Sequence, residues 1–184
     1  MECRGGVRLL NPRAWRFIPF AAAPLAAVVA ADFLTEEQTR QVLFPEAERF
    51  DDRPVTSAAL RAAVKKTGAP PWDAVPRVWS ALRRGSVLGY VVVDHVIGKH
   101  DFITYAVGIS SGGVVRGVEI LRYRESHGGD VRNERWRRQF VGRGREKPLR
   151  FGIDIKNIAG ATLSCRHVTE GVRRVLALSE DWNG

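Results

Sequence analysis

Three short runs of β-branched and aromatic residues lie close together in the middle of this chain and restrict its fold more than any other feature. They are Val87-Leu88-Gly89-Tyr90-Val91-Val92-Val93, Phe102 to Ile109 (FITYAVGI) and Val114 to Tyr123 (VVRGVEILRY). Side chains of this kind fit a pleated, half-buried surface. The four residues Ser110-Ser111-Gly112-Gly113 join the second run to the third, so the two read as an antiparallel hairpin. Alternation within the third run is imperfect and assigns no faces. The period then changes. Val168, Gly171, Val172, Val175 and Leu176 fall at i, i+3, i+4, i+7 and i+8, a helical stripe. A sheet of local hairpins followed by a long helix predicts an α+β domain, an antiparallel β-sheet with packed helices.

Shorter helices are expected on either side. In TEEQTRQVLF, residues 35–44, Thr35 and Gln38 have the spacing of a capping box, and Pro45 ends the segment. In SAALRAAVKKT, residues 57–67, Ser57 is placed to cap, Leu60 and Val64 share a face, and Gly68 is the stop. Pro70, Pro71 and Pro76 mark an extended loop carrying Trp72. Asn133 to Phe140 reads as a short charged helix with Trp136 and Phe140 four apart, and 149–158 reads as extended.

The front of the chain looks like an address. Residues 1–16 carry four arginines, and 17–31 (FIPFAAAPLAAVVAA) form an uncharged apolar run ending in small residues. That is the layout of a secretory signal. Fifteen residues are fewer than the roughly 20 of a spanning helix, and Pro19 and Pro24 weaken a straight span, yet an uncleaved anchor stays open. Either outcome puts the remainder outside the cytoplasm, in the periplasm or on the outer face of the cytoplasmic membrane. The expected division is 1–31 as signal peptide or anchor, 32–84 as a helical and loop extension, and 85–184 as the main domain. The net charge is +9, of which Arg4, Arg8, Arg13 and Arg16 against Glu2 give +3. The excess favours anionic partners, among them an anionic membrane surface. Outside 1–31 the only cysteine is Cys165, so neither an internal disulfide nor a cysteine zinc site can staple the fold.

Chemistry concentrates in IAGATLSCRHVTEGVRRVLAL, residues 158–178. The small-residue turn Ala159-Gly160-Ala161 feeds a helix with Thr162 and Ser164 at its mouth. A helix N-terminus offers unpaired N–H groups and a positive dipole end, and small residues let a phosphate approach them. Simple capping by Thr162 or Ser164 accounts for the same residues. The two readings predict different hydrogen bonds.

The segment Gly160-Ala161-Thr162-Leu163-Ser164 resembles the signature of the FMN-binding domain family, Ser/Thr-Gly-Ala-Thr-hydrophobic-Ser/Thr opening a helix. That family includes flavin-bearing periplasmic subunits of the sodium-pumping NADH:quinone oxidoreductase and of related ferredoxin-linked ion-pumping complexes. The likeness extends over about 85–178. It takes in Tyr123-Arg124-Glu125-Ser126-His127-Gly128-Gly129, similar to the family's Glu-Ser/Thr-x-Gly loop, and Trp136 and Phe140 beyond it. It implies FMN held by a phosphoester on Thr162, with Gly160, Ala161, Leu163 and Ser164 around it. It also implies Glu125, Ser126 and Gly128 on the flavin side. Two positions depart from the fullest attachment motif. Lys156 stands where it has Asp, and Ala159 where it has Ser or Thr. These departures bear on the covalent bond more than on FMN binding itself.

The resemblance implies an extracytoplasmic FMN-binding electron-transfer flavoprotein, served by a flavin transferase and paired with a membrane or periplasmic redox partner. An exported protein meets little free FMN, and a covalent tether prevents loss of the cofactor by mass action. The alternative is a flavin-free, degenerate member acting as an interaction module in an envelope redox complex. No nucleophile–base pair suggests an independent catalyst: Cys165 and His167, two apart, do not face each other on a helix. No metal-ligand cluster is evident. The basic stretch Arg135, Arg137, Arg138, Arg143, Arg145 and Lys147 reads as a solvated or lipid-facing surface, with no nucleic-acid partner expected.

Overall fold

A computed structural model describes residues 31–183, apart from 73–74, 126–128, 145 and 148. The address segment 1–30 and the site residues Ser126 and Gly128 therefore lie outside the described residues. Among the described residues six strands form one sheet: β1 (Ala31–Asp32), β2 (Arg49–Asp52), β3 (Arg77–Arg83), β4 (Ser86–Ile97), β5 (Phe102–Ser110) and β6 (Val115–Tyr123). Their order is β1-β6-β5-β4-β3-β2, and every neighbouring pair is antiparallel. Among the described residues the α-helices are α1 (Glu36–Leu43), α2 (Ser57–Thr67), α3 (Glu134–Arg137) and α4 (Thr162–Leu178). The α+β class expected from the sequence is the one found.

The sheet buries both faces, which explains why the third run alternates poorly. One face, with Trp79, Ala81, Val91, Val93, Ala106 and Leu121, is covered by Leu43 and Phe44 at the end of α1. The other, with Val92, Val96, Ile103, Tyr105, Val107 and Ile120, packs on α4 through Cys165, Val168, Val172 and Val175. A strand buried on two sides reads as a continuous apolar run.

Several local expectations change in the structure. Thr56, not Ser57, caps α2, its hydroxyl accepting from the Ala59 N–H at 3.1 Å. Asp51 and Asp52 lie in β2, paired with Ser80 and Trp79. Within 149–158, residues 150–155 form a compact turn rather than an extended segment. The Asp154 carboxylate accepts from both the backbone and the guanidinium of Arg150, and the Asp154 N–H returns to the Arg150 carbonyl. Finally, the sheet continues across the boundary expected at 84/85. Strand β3 runs into β4 through Arg84 and Gly85, both at positive φ (49° and 78°). This is the backbone signature of a two-residue I′ hairpin turn, usually carried by Asn-Gly or Asp-Gly. Arg84 in the first position hid the hairpin.

Candidate functional site

The ends of β4 and β6, the β4–β5 turn and the mouth of α4 meet at one end of the sheet. Cys165 makes the first i→i−4 bond of α4, its N–H donating to the Ala161 carbonyl at 2.9 Å. The N–H groups of Thr162, Leu163 and Ser164 precede that bond and have no intrahelical acceptor. No side chain caps them at Ala161. Both hydroxyls expected as caps are engaged elsewhere. Ser164, buried, lies 3.3 Å from the Tyr123 hydroxyl of β6. Thr162 Oγ1, exposed, accepts from Asn157 Nδ2 at 3.0 Å. Capping by Thr162 or Ser164 is therefore not what these residues do. The mouth keeps its donors at the positive end of the helix dipole, an arrangement that suits an anion.

Access comes from the turn before the helix. Gly160 has φ +82°, a conformation that L side chains rarely adopt, and nothing lies within 4 Å of where its Cβ would be. Ala161 is buried beneath the turn. Leu163 points outward, 44% exposed. The resulting cradle is small, open and donor-rich, and it suits a phosphate whose other substituent extends along the surface.

Sequence reasoning missed Asn157. It stands five residues before Thr162 and one after Lys156, and its amide orients the Thr162 hydroxyl. Trp136 fixes this approach. Its indole N–H donates to the Lys156 carbonyl at 2.8 Å, while the Lys156 N–H donates to Gln139 Oε1 at 2.8 Å. Phe140 braces Trp136 edge-on, with centroids 5.2 Å apart. Position 156 thus holds its place through its backbone, whatever side chain it carries.

Glu125 serves the β4–β5 turn. Its Oε1 accepts from the backbone N–H groups of Lys99, His100 and Asp101, the last at 3.0 Å. Burial pushes its pKa up, but these three donors outweigh it and hold the carboxyl below the usual carboxylate range. Across the turn, His167 of α4 lies 2.6 Å from the Ile97 carbonyl through Nδ1, and the Trp72 ring packs against it at 5.4 Å. Burial raises the Tyr123 phenol, partly offset by its hydrogen bond to Ser164. Cys165 is fully buried in the core, and burial also pushes its thiol up.

Behind the mouth, α4 is anchored by a charge the sequence did not single out. Arg174 and Asp94 are both 1% exposed, and Arg174 Nη2 donates to Asp94 Oδ2 at 2.5 Å. The Tyr105 hydroxyl donates to the same oxygen at 2.9 Å, and Arg174 Nη1 donates to the Pro70 carbonyl at 2.5 Å. Gly171 makes this possible: a Cβ there would lie 2.2 Å from the Tyr105 hydroxyl oxygen.

An open, donor-rich helix mouth at one end of a sheet suits a phosphate-bearing ligand. Residues 98–177 match the family model of the FMN-binding domain. The chain is also similar to one of the subunits of the Na(+)-translocating ferredoxin:NAD(+) oxidoreductase complex of Acetobacterium woodii. The two are 26% identical over 148 residues, covering 75% of this chain and 70% of the relative.

Proposed function

We propose that this protein is an extracytoplasmic electron-transfer flavoprotein that carries FMN as a phosphoester on Thr162. The observation that carries the reading is the uncapped mouth of α4, with the exposed Thr162 hydroxyl held by Asn157 beside open space at Gly160. When bound, the flavin supplies one- and two-electron chemistry. The residues do the rest. The N–H groups of Thr162, Leu163 and Ser164 face the phosphate, and Asn157 sets the direction of the Thr162 oxygen. Glu125 holds the β4–β5 turn, and the sequence motif assigns Ser126 and Gly128 to the flavin side. The match over 98–177 supports an FMN-binding electron-transfer role, and the named relative supports work within a membrane redox complex.

Location follows from the front of the chain. The apolar run 17–31 supports export or anchoring. Ala31, the last residue of that run, pairs with Tyr123 at the site end of β6. Among the described residues no helix is long and apolar enough to cross a membrane. A flavin transferase is the partner that would build the ester. The test is intact mass and visible absorbance of the exported protein before and after acid precipitation. A gain of one FMN less one water, with colour kept in the pellet and absent from Thr162→Ala, is the expected result. Colour released to the supernatant would replace the ester with non-covalent FMN. A colourless apo protein made alongside the transferase would leave a flavin-free interaction module.

A further inference from the structure

Two cations beside the α4 mouth have no ionic partner. They are Lys156, in the segment that leads to the mouth, and Arg166, at the start of the second turn of α4. Both are exposed, and no ion pair among the described residues involves either one. Asp154, two residues before Lys156, pairs with Arg150 instead. Glu170, one turn after Arg166, lies within electrostatic reach of Arg174.

We infer that Lys156 and Arg166 form a cation clamp for the phosphate of the flavin. The clamp deepens the proposed function and rests on its placing of that phosphate at the α4 mouth. Residues 162 and 166 are four apart, so their side chains share one helix face, with Cβ atoms about 5–6 Å apart. A helical side chain leans toward the N-terminus, which carries Arg166 toward the mouth. Its guanidinium carbon stands 5.4 Å from the centroid of the Phe151 ring. The segment 151–157 that supplies this ring also supplies Asn157, whose amide donates to Thr162 Oγ1 at 3.0 Å. The Thr162 and Arg166 face of α4 therefore turns toward this segment, and Lys156 is the neighbour of Asn157 on it. The Lys156 backbone is already engaged by Gln139 and Trp136, so its ammonium is the group left to meet a ligand.

Charge selects the ligand. A phosphate monoester carries about −1.5 to −2 charge at neutral pH, and two cations match it. A flavin that lacks the phosphate gives them nothing to hold. Contacts between a charged N–H donor and a phosphate oxygen are roughly twice as strong as neutral hydrogen bonds. Where the fullest attachment motif has Asp, a carboxylate would repel the phosphate, and Lys156 reverses that sign. The clamp thus retains FMN by a means that does not depend on the bond to Thr162.

The experiment takes the purified full chain, made without a flavin transferase so that no ester forms, and titrates it in neutral detergent with FMN and with riboflavin, read by flavin fluorescence. FMN should bind about tenfold or more tighter than riboflavin. Lys156→Gln and Arg166→Gln should each lower the FMN affinity about tenfold and leave riboflavin unchanged. Lys65→Gln, an equal charge change on exposed α2, should alter neither. Equal affinity for the two flavins, no binding of FMN, or an FMN affinity unchanged in either clamp variant would overturn the clamp. A loss as large in Lys65→Gln would reduce the effect to net charge and overturn it as well. The ester is scored separately, by acid-stable colour in the chain exported alongside the transferase. Acid-stable colour without phosphate-selective binding sinks the clamp alone. Phosphate-selective binding that needs both cations, without acid-stable colour, keeps the clamp and sinks the ester alone.

Discussion

The two ends of α4 are built to opposite rules. Toward its C-terminal half, Val172, Val175 and Arg174 are nearly or fully buried, and Arg174 ties the helix to β4 and the proline loop at once. At its mouth, Gly160, Thr162 and Leu163 are exposed, and the first-turn donors have no capping side chain. The buried half supplies the rigidity that the open half lacks. A ligand site can leave donors unsatisfied only if other contacts hold the helix in place.

Breaking the buried half should cost most. In Arg174→Met, Asp94 keeps a buried charge without its partner, and a loss of about 3–5 kcal/mol in urea unfolding is expected. A loss below about 1 kcal/mol would mean the pair does not anchor α4. Next comes Gly171→Ala, where the added methyl meets Tyr105, with an expected loss of about 1–3 kcal/mol. Wild-type stability in this variant would show that α4 shifts freely on the sheet.

Glu125→Gln should act through pH. The folded carboxyl lies below its ordinary range, so its contribution is complete above the unfolded value of about 4.3 and disappears as pH falls through the folded one. Melting temperature in the wild type should fall across that acid window, and the variant should lack this component. Identical acid profiles would show that the turn does not depend on the charge. The smallest effect on stability belongs to the mouth. Thr162→Ala should change unfolding by no more than about 0.5 kcal/mol while abolishing acid-stable flavin. Asn157→Ala should lower the flavin-to-protein ratio with the same small effect on stability. If Thr162→Ala destabilised the protein as Arg174→Met does, the contrast between the two ends would be lost.

Much of this architecture was legible because it depends on short-range periodicity. Strands β4, β5 and β6, the Thr35–Gln38 capping box and the stripe of α4 are written in neighbouring residues. The motif at 160–164 likewise located the helix mouth. Strand β3 escaped because Arg84 occupies a turn position usually held by Asn or Asp, and β2 because its acidic residues look solvated.

The sequence by itself determined which segments become strands or helices and where small and hydroxyl-bearing residues open α4. Local spacing governs both, because backbone periodicity and the φ freedom of glycine are properties of adjacent residues. Only the tertiary structure decided that Ser164 turns to Tyr123, that Glu125 holds the β4–β5 turn, and that Arg174 reaches Asp94 eighty residues away. Those partners meet across the sheet, and no spacing along the chain encodes which donor will face which acceptor once both faces are buried.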